Sequence, residues 1–208
     1  MAGGLRERKR ISTRRALEDA ALELFSQKGF SRTTIDEIAS RAEVSRSTFF
    51  RYFGSKDAVL FSPDDEAARE FLELIRSRPL EEGPLAAFES ALLLLAAVKP
   101  TRFDRGVARA REELVTNNAY LRARRAEHLT KWTERFARTL ADRDGAHEPG
   151  PAHRLASWVG VAVVQEMGEE WIRAADEPDA VQLVRDHFGV LRALLRDVGA
   201  PAGARGHV

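Results

Sequence analysis

The sequence predicts an all-α chain in two parts: a small N-terminal three-helix domain holding a helix-turn-helix, and a larger helical domain behind it, about nine helices in all. Three observations carry this reading. Apolar residues recur at helical spacing through almost every segment, with no convincing period-two alternation. Most Gly and Pro residues fall between the periodic stretches. Within residues 33–56, two short periodic runs are separated by the tight turn Ala42-Glu43-Val44.

Leu17, Ala20, Ala21, Leu24 and Phe25 share one face and place a first helix at about Ser12–Lys28, with Gly29 closing it. Ile35, Ile38, Ala39 and Ala42 form a second, short helix. Thr34 and Glu37 stand at capping-box spacing and set its start. Ser45 is placed to cap a third helix with Phe49 and Phe53 on its inner side. Ser55 is placed to cap a fourth that runs to about Ser77, kinked or restarted at Ser62-Pro63. Pro84 opens a fifth, apolar on nearly all sides, which predicts a central position until Pro100 breaks it. Further helices fit roughly 102–116, 119–143, 152–175 and 179–198. The expected domains are 1–60 (motif about 34–53, basic arm 5–15) and 61–198, with 199–208 a disordered tail.

Of 208 residues, 44% are hydrophobic and 31% charged, the balance of a folded globular protein rather than a disordered one. No apolar run reaches the roughly 18 residues a membrane helix needs, and no secretory signal is expected. The absence of cysteine excludes disulfides and fits a reducing cytoplasm, the expected location. Charge is uneven. Residues 1–60 carry twelve Lys and Arg against eight Asp and Glu, an excess of four; with the whole chain at +1, the remainder is −3. A basic front on a mildly acidic body points to a polyanion at one end.

The segment TTIDEIASRAEVSRSTFFRYFGSK, residues 33–56, gives that polyanion a candidate reader. In a helix-turn-helix, the first helix crosses the phosphate backbone and the start of the second enters the major groove. Here the second opens with Ser45, Arg46, Ser47 and Thr48, short or forked donors able to reach base edges. Thr33, Thr34, Tyr52 and Lys56 are the phosphate-contact candidates. Phe49 and Phe53 face the first helix and belong to the core, whereas Phe50 is open to either DNA contact or packing. Arg6–Arg10 reads as a weak phosphate-attracting arm, with a minor-groove contact or a solubilising tail as alternatives.

Residues 12–60 resemble the TetR family of bacterial repressors. The resemblance rests on Leu24-Phe25, Lys28-Gly29-Phe30, Thr33 to Ala39, Val44-Ser45, Thr48-Phe49, Tyr52-Phe53 and Ser55-Lys56. It implies DNA contacts at Thr34, Arg46, Ser47, Thr48, Phe50, Tyr52 and Lys56. It implies a ligand-responsive repressor that binds a palindromic operator of double-stranded DNA as a homodimer and is released by a small-molecule effector. Two residues depart from the family pattern. Glu43 replaces a turn Gly, where positive φ costs another residue about 1 kcal/mol; Phe50 replaces Tyr and lacks its hydroxyl.

In the second domain, Val181, Val184, Phe188, Leu191, Leu195 and Val198 alternate at three and four, a seam suited to dimerisation. Trp132, Phe136 and Trp158 are bulky enough to be core or to line a cavity, and Gln165 and Glu166 are polar groups that would protrude into one. The segments Leu121-Arg122-Ala123-Arg124, Phe136-Ala137, Leu140-Ala141-Asp142-Arg143 and Arg154-Leu155, with Trp132, Gly160 and Trp171, are similar to an actinobacterial subgroup of TetR regulators thought to bind acyl-CoA-like ligands. That similarity implies an apolar or acyl-bearing effector. The five histidines form no ligand-spaced pair, and no P-loop, dinucleotide or nucleophile-elbow pattern occurs. Neither cofactor, metal nor enzymatic activity is expected.

Overall fold

The structure of the chain, a computed structural model, describes the backbone of residues 2–98, 104–176 and 178–199, and their side chains except 2–7, 63, 64, 198 and 199. Among the described residues there are nine α-helices and no strand: α1 (Ala2–Lys28), α2 (Ile35–Arg41), α3 (Arg46–Tyr52), α4 (Ala58–Arg76), α5 (Pro84–Val98), α6 (Arg105–Thr116), α7 (Ala119–Arg143), α8 (Pro151–Arg173) and α9 (Ala180–Gly199). The break at Pro100 and the tail beyond Gly199 lie outside the described residues.

The helices pack as two units, Met1–Ala68 with Phe103–Leu129, and Arg69–Arg102 with Thr130–Val208. Helices α4 and α7 contribute residues to both.

In the first unit, Leu17, Ala21 and Phe25 of α1 are almost wholly buried with Ile38 of α2, Phe49 of α3, Leu60 of α4, Val115 of α6 and Leu121 of α7. Burial of Phe25 and Phe49 alone stabilises by roughly 1.5–3 kcal/mol each. Helix α1 starts at Ala2, ten residues before the periodicity predicts. Helix α4 passes through Ser62-Pro63 as one helix, although Pro63 has no N–H to offer the preceding turn. Ser62 is buried and bonded on both sides: Arg14 Nε donates to its hydroxyl at 2.8 Å, and the hydroxyl donates to Glu18.

In the second unit, Phe71, Phe88 and Phe136 meet edge to face, with ring centroids 4.7, 5.3 and 5.7 Å apart. Phe88 lies so close to Gly160 that a Cβ there would come within 2.6 Å of the ring, so only glycine permits this approach of α8 to α5. Helix α5 packs against both α8 and α9, as its all-round apolar surface predicts.

Candidate nucleic-acid interface

Helix α2 is bounded at both ends by specific backbone chemistry. At its start Thr34 is extended, its hydroxyl accepts from Glu37 N, and Glu37 accepts from Thr34 N at 2.8 Å, completing the expected capping box. Lys28 pairs with the same carboxylate. These hydrogen bonds, that from Lys28 first, hold the Glu37 carboxyl down at about 2.

At its end, Val44 N donates to Ala39 O at 2.9 Å and Glu43 N to Ser40 O at 3.1 Å. This is the paired pattern of a Schellman motif, and it puts Glu43 at the left-handed position with φ 54°. Among the described residues Glu43 is the one non-glycine with positive φ, as its place in the turn predicts.

The turn delivers α3. Ser45 caps it, accepting from Thr48 N at 3.1 Å, and its hydroxyl also lies 2.9 Å from Ser47 Oγ and 3.0 Å from Thr48 Oγ1. Phe49 and Phe53 are buried, whereas Phe50 is 45% exposed. The opposite face of this short helix thus carries Arg46, Ser47 and Phe50 in solvent. Arg46 folds back: Nη1 donates to Asp36 Oδ2 at 2.6 Å, and its guanidinium lies 5.4 Å from the Phe50 ring. Tyr52, half-buried, lies under Arg51 at 5.5 Å.

Two expected phosphate contacts sit differently. Thr33 is 1% exposed, and its hydroxyl donates to Gly29 O at 3.0 Å and Leu24 O at 3.3 Å. It holds the turn after α1 together and is not part of the exposed set. Lys56 precedes α4 rather than starting it, and Nζ donates to both Phe30 O and Thr33 O at 2.7 Å, 4.2 Å from the Phe30 ring. Burial there lowers the Lys56 ammonium from its ordinary value, against the opposing charges of Asp57 and Glu37. An ammonium has three donors, so one remains.

The neighbour of Lys56 is a site residue that the motif alone does not reveal. Asp57 is buried, accepts from Arg124 Nε at 2.8 Å and lies 3.3 Å from the Tyr120 hydroxyl. Burial pushes its carboxyl up, but the bonds from Arg124 and Ser55 outweigh that and hold it below the usual value. Leu121 and Arg124, which the sequence associates with a ligand-binding similarity, therefore belong to the N-terminal unit.

The second unit contains a cavity of about 630 Å³ lined by residues including Leu72, Arg76, Thr133, Arg138, Arg154 and Trp158. Of the expected effector residues only Trp158 lines it. Trp132 and Phe136 are buried in packing against each other, 5.8 Å between centroids, and Gln165 and Glu166 are solvent-exposed on α8. The expected dimer seam also divides. Val184 and Phe188 are buried inside the unit at 0 and 1% exposure, and Val181 and Leu191 are half-buried. Leu195, at 55%, is open, as are Val190 and Leu194 at 61 and 57%. The side chain of Val198 lies outside the described residues.

A capped helix-turn-helix at the front of an all-helical chain defines a DNA-binding regulator, and similarity to known proteins gives its class: the chain belongs to the TetR family of transcriptional regulators. The profile of the bacterial regulatory proteins of the tetR family matches residues 17–62, and that of the MftR C-terminal domain matches 82–196. The HTH-type transcriptional regulator TcmR of Streptomyces glaucescens is 34% identical over 178 residues, covering 83% of this chain and 79% of TcmR. Among solved structures, FadR of Bacillus subtilis in complex with stearoyl-CoA superposes with a TM-score of 0.54 at 20% identity, over 85% of this chain and 96% of FadR. NalD of Pseudomonas aeruginosa, the secondary repressor of the MexAB-OprM efflux pump, gives 0.52 at 23% identity, over 88% of this chain and 96% of NalD. At these identities the two structures establish the fold.

Proposed function

We propose that this regulator is a ligand-responsive repressor that acts in the cytoplasm: it binds a palindromic operator as a dimer and is released by a small apolar or acyl-bearing effector. The observation that carries the DNA half is α3, whose exposed Arg46, Ser47 and Phe50, with half-buried Thr48, stand on a buried Phe49–Phe53 face behind a Schellman turn. Arg46 and Thr48 read bases, while Thr34, Tyr52 and the third donor of Lys56 meet phosphates.

A seven-residue helix reads few base pairs, and two-fold pairing doubles them. The second copy docks on the exposed apolar positions of α8 and α9: Leu155, Val190, Leu194 and Leu195. This replaces the expected seam through Val184 and Phe188. The effector occupies the 630 Å³ cavity, whose volume suits a small organic molecule. FadR, of the same fold, was crystallised with an acyl ligand.

The test is selection of bound fragments from genomic DNA by the full chain, followed by titration of the enriched duplex. Enrichment of an inverted repeat whose affinity falls when an acyl compound is added is the expected result. No enriched sequence would overturn the operator reading, and equal ligand affinity with and without operator would overturn the switch.

A further inference from the structure

Helix α1 is longer than the fold requires. The family profile begins at residue 17, and Leu17 is also the first buried residue of the described side chains. Residues 2–16 are nonetheless helical, which at 1.5 Å per residue is about 22 Å of helix standing in front of the core. Between Arg8 and Ala16 the sequence is Arg-Lys-Arg-Ile-Ser-Thr-Arg-Arg-Ala: five cations, no acid, and no residue buried.

That composition is poor for a helix on its own. Arg10 and Arg14 are like charges four residues apart on one helix face, which is unfavourable, and Ile11 and Ala16 offer no apolar stripe for packing. A run of like charge along a helix becomes favourable when a polyanion lies alongside. The site of attachment puts one within reach. Arg14 leans on the ring of Phe53, 5.4 Å away, and Phe53 is the residue that ends α3. Arg8 and Lys9 lie only one to two turns further out along the same helix.

We propose that residues 8–15 form a phosphate-tracking helix that grips the duplex backbone beside each half-site, without reading sequence. This rests on the DNA-binding reading above and extends it to a segment outside the family profile. The backbone is the target rather than the minor groove because of size. A helix with side chains is about 10–12 Å across, whereas the minor groove is about 6 Å wide and admits an extended arm.

The test uses the full chain and two fluorescent duplexes of equal length, one of random sequence and one enriched in the genomic selection. In Arg8→Gln/Lys9→Gln/Arg10→Gln, affinity for both duplexes falls by the same factor, roughly tenfold or more, and the salt slope drops by about one for each phosphate that is no longer neutralised. Arg8→Lys/Arg10→Lys keeps both affinities and the slope. Both variants fold to the wild-type helical content, since no core residue is touched. An unchanged slope in the triple variant overturns the proposal. So does a loss confined to the selected duplex, which would mean base reading in the minor groove. If the wild type selects no sequence but the random-duplex slope still falls, the operator reading fails and the phosphate helix stands.

Discussion

Arg124 donates to Asp57 at 2.8 Å across a separation of sixty-seven residues, joining the residue that precedes α4 to the second turn of α7, next to Lys56. Asp57 is 5% exposed at its side chain and Arg124 36%, so the pair is half in solvent. Removing the cation leaves a buried carboxylate with only Tyr120 and Ser55 as side-chain partners. Arg124→Met should therefore destabilise by roughly 1–3 kcal/mol, less than the 3–5 of a fully buried pair because solvent screens Arg124. The sign with pH follows from the lowered Asp57 value. Its stabilisation is present above the ordinary carboxyl range and fades as pH falls through the depressed folded value. The deficit of Arg124→Met is then largest near neutrality and shrinks toward acid, because the variant's Asp57, raised by burial and no longer held down by Arg124, protonates before the wild type's and then needs no cation. Urea unfolding at pH 7 and pH 3.5 checks both.

The capping box gives a second titration. The Glu37 carboxyl is held at about 2, first by Lys28 and then by Thr34. Its contribution to the start of α2 is present above the ordinary carboxyl value and survives until pH falls toward 2. Carbon-detected NMR of the Glu37 side chain should give a midpoint near 2. In Lys28→Ala that midpoint should move up toward the ordinary range; an unmoved midpoint would show that Lys28 is not the main cause.

Glu43 occupies a backbone conformation that glycine adopts freely, at φ 54°. Glu43→Gly removes the left-handed penalty but adds unfolded-state entropy, so the net gain is up to about 1 kcal/mol. Glu43→Val, β-branched at positive φ, should be less stable than wild type. A denaturant midpoint order of Gly above Glu above Val is the expected result.

These devices differ in how visible they are in the sequence. Thr34 and Glu37 are three residues apart, Glu43 follows a short periodic run, and Phe49 and Phe53 share a helical face, so local spacing reveals all of them. The Asp57–Arg124 pair and the Lys56 bonds to Phe30 and Thr33 depend on tertiary contact, which local spacing does not encode. The start of α1 at Ala2 escapes periodicity because a polar helix has no apolar period to read. The α9 seam shows the opposite failure. Alternation of three and four reports a buried face but not whose, and Val184 and Phe188 turn out to face their own chain. Thr33 looks like a surface donor beside Thr34 until its hydroxyl is found between the carbonyls of Gly29 and Leu24.

Arg46 Nη1 is bonded to the Asp36 carboxylate, and that bond competes with the base contact proposed for its guanidinium. Both side chains are more than half exposed, so the ion pair contributes no more than about 1 kcal/mol. Asp36→Asn should raise operator affinity by up to about fivefold, by freeing Arg46 and removing a charge near phosphate. Arg46→Ala should alter base preference at one position of each half-site by roughly 1–3 kcal/mol. Lys56→Ala should weaken all duplexes alike and also lower stability, since Nζ ties down the Phe30 and Thr33 carbonyls. Binding to a set of single-base operator variants separates the three. An Arg46→Ala profile parallel to wild type at every position would remove it from the base-reading set.

Two residues of α9 discriminate the proposed dimer surface from the core. Leu194 is 57% exposed, and Phe188, six residues earlier, is 1% exposed. Phe188→Glu would bury an unpaired carboxylate in the second unit, and the chain should lose cooperative folding. In Leu194→Glu the carboxylate meets solvent in the isolated chain and meets the second copy only in the dimer. Leu194→Glu should therefore keep wild-type helicity while sedimenting as a monomer at concentrations where the wild type is dimeric. Operator affinity should fall steeply with it, because a single α3 holds one half-site and the interface no longer supplies the second. Random-duplex affinity per protomer should change much less. Analytical ultracentrifugation with circular dichroism on the same samples decides the matter: a folded Leu194→Glu that remains dimeric would move the interface off this face of α9.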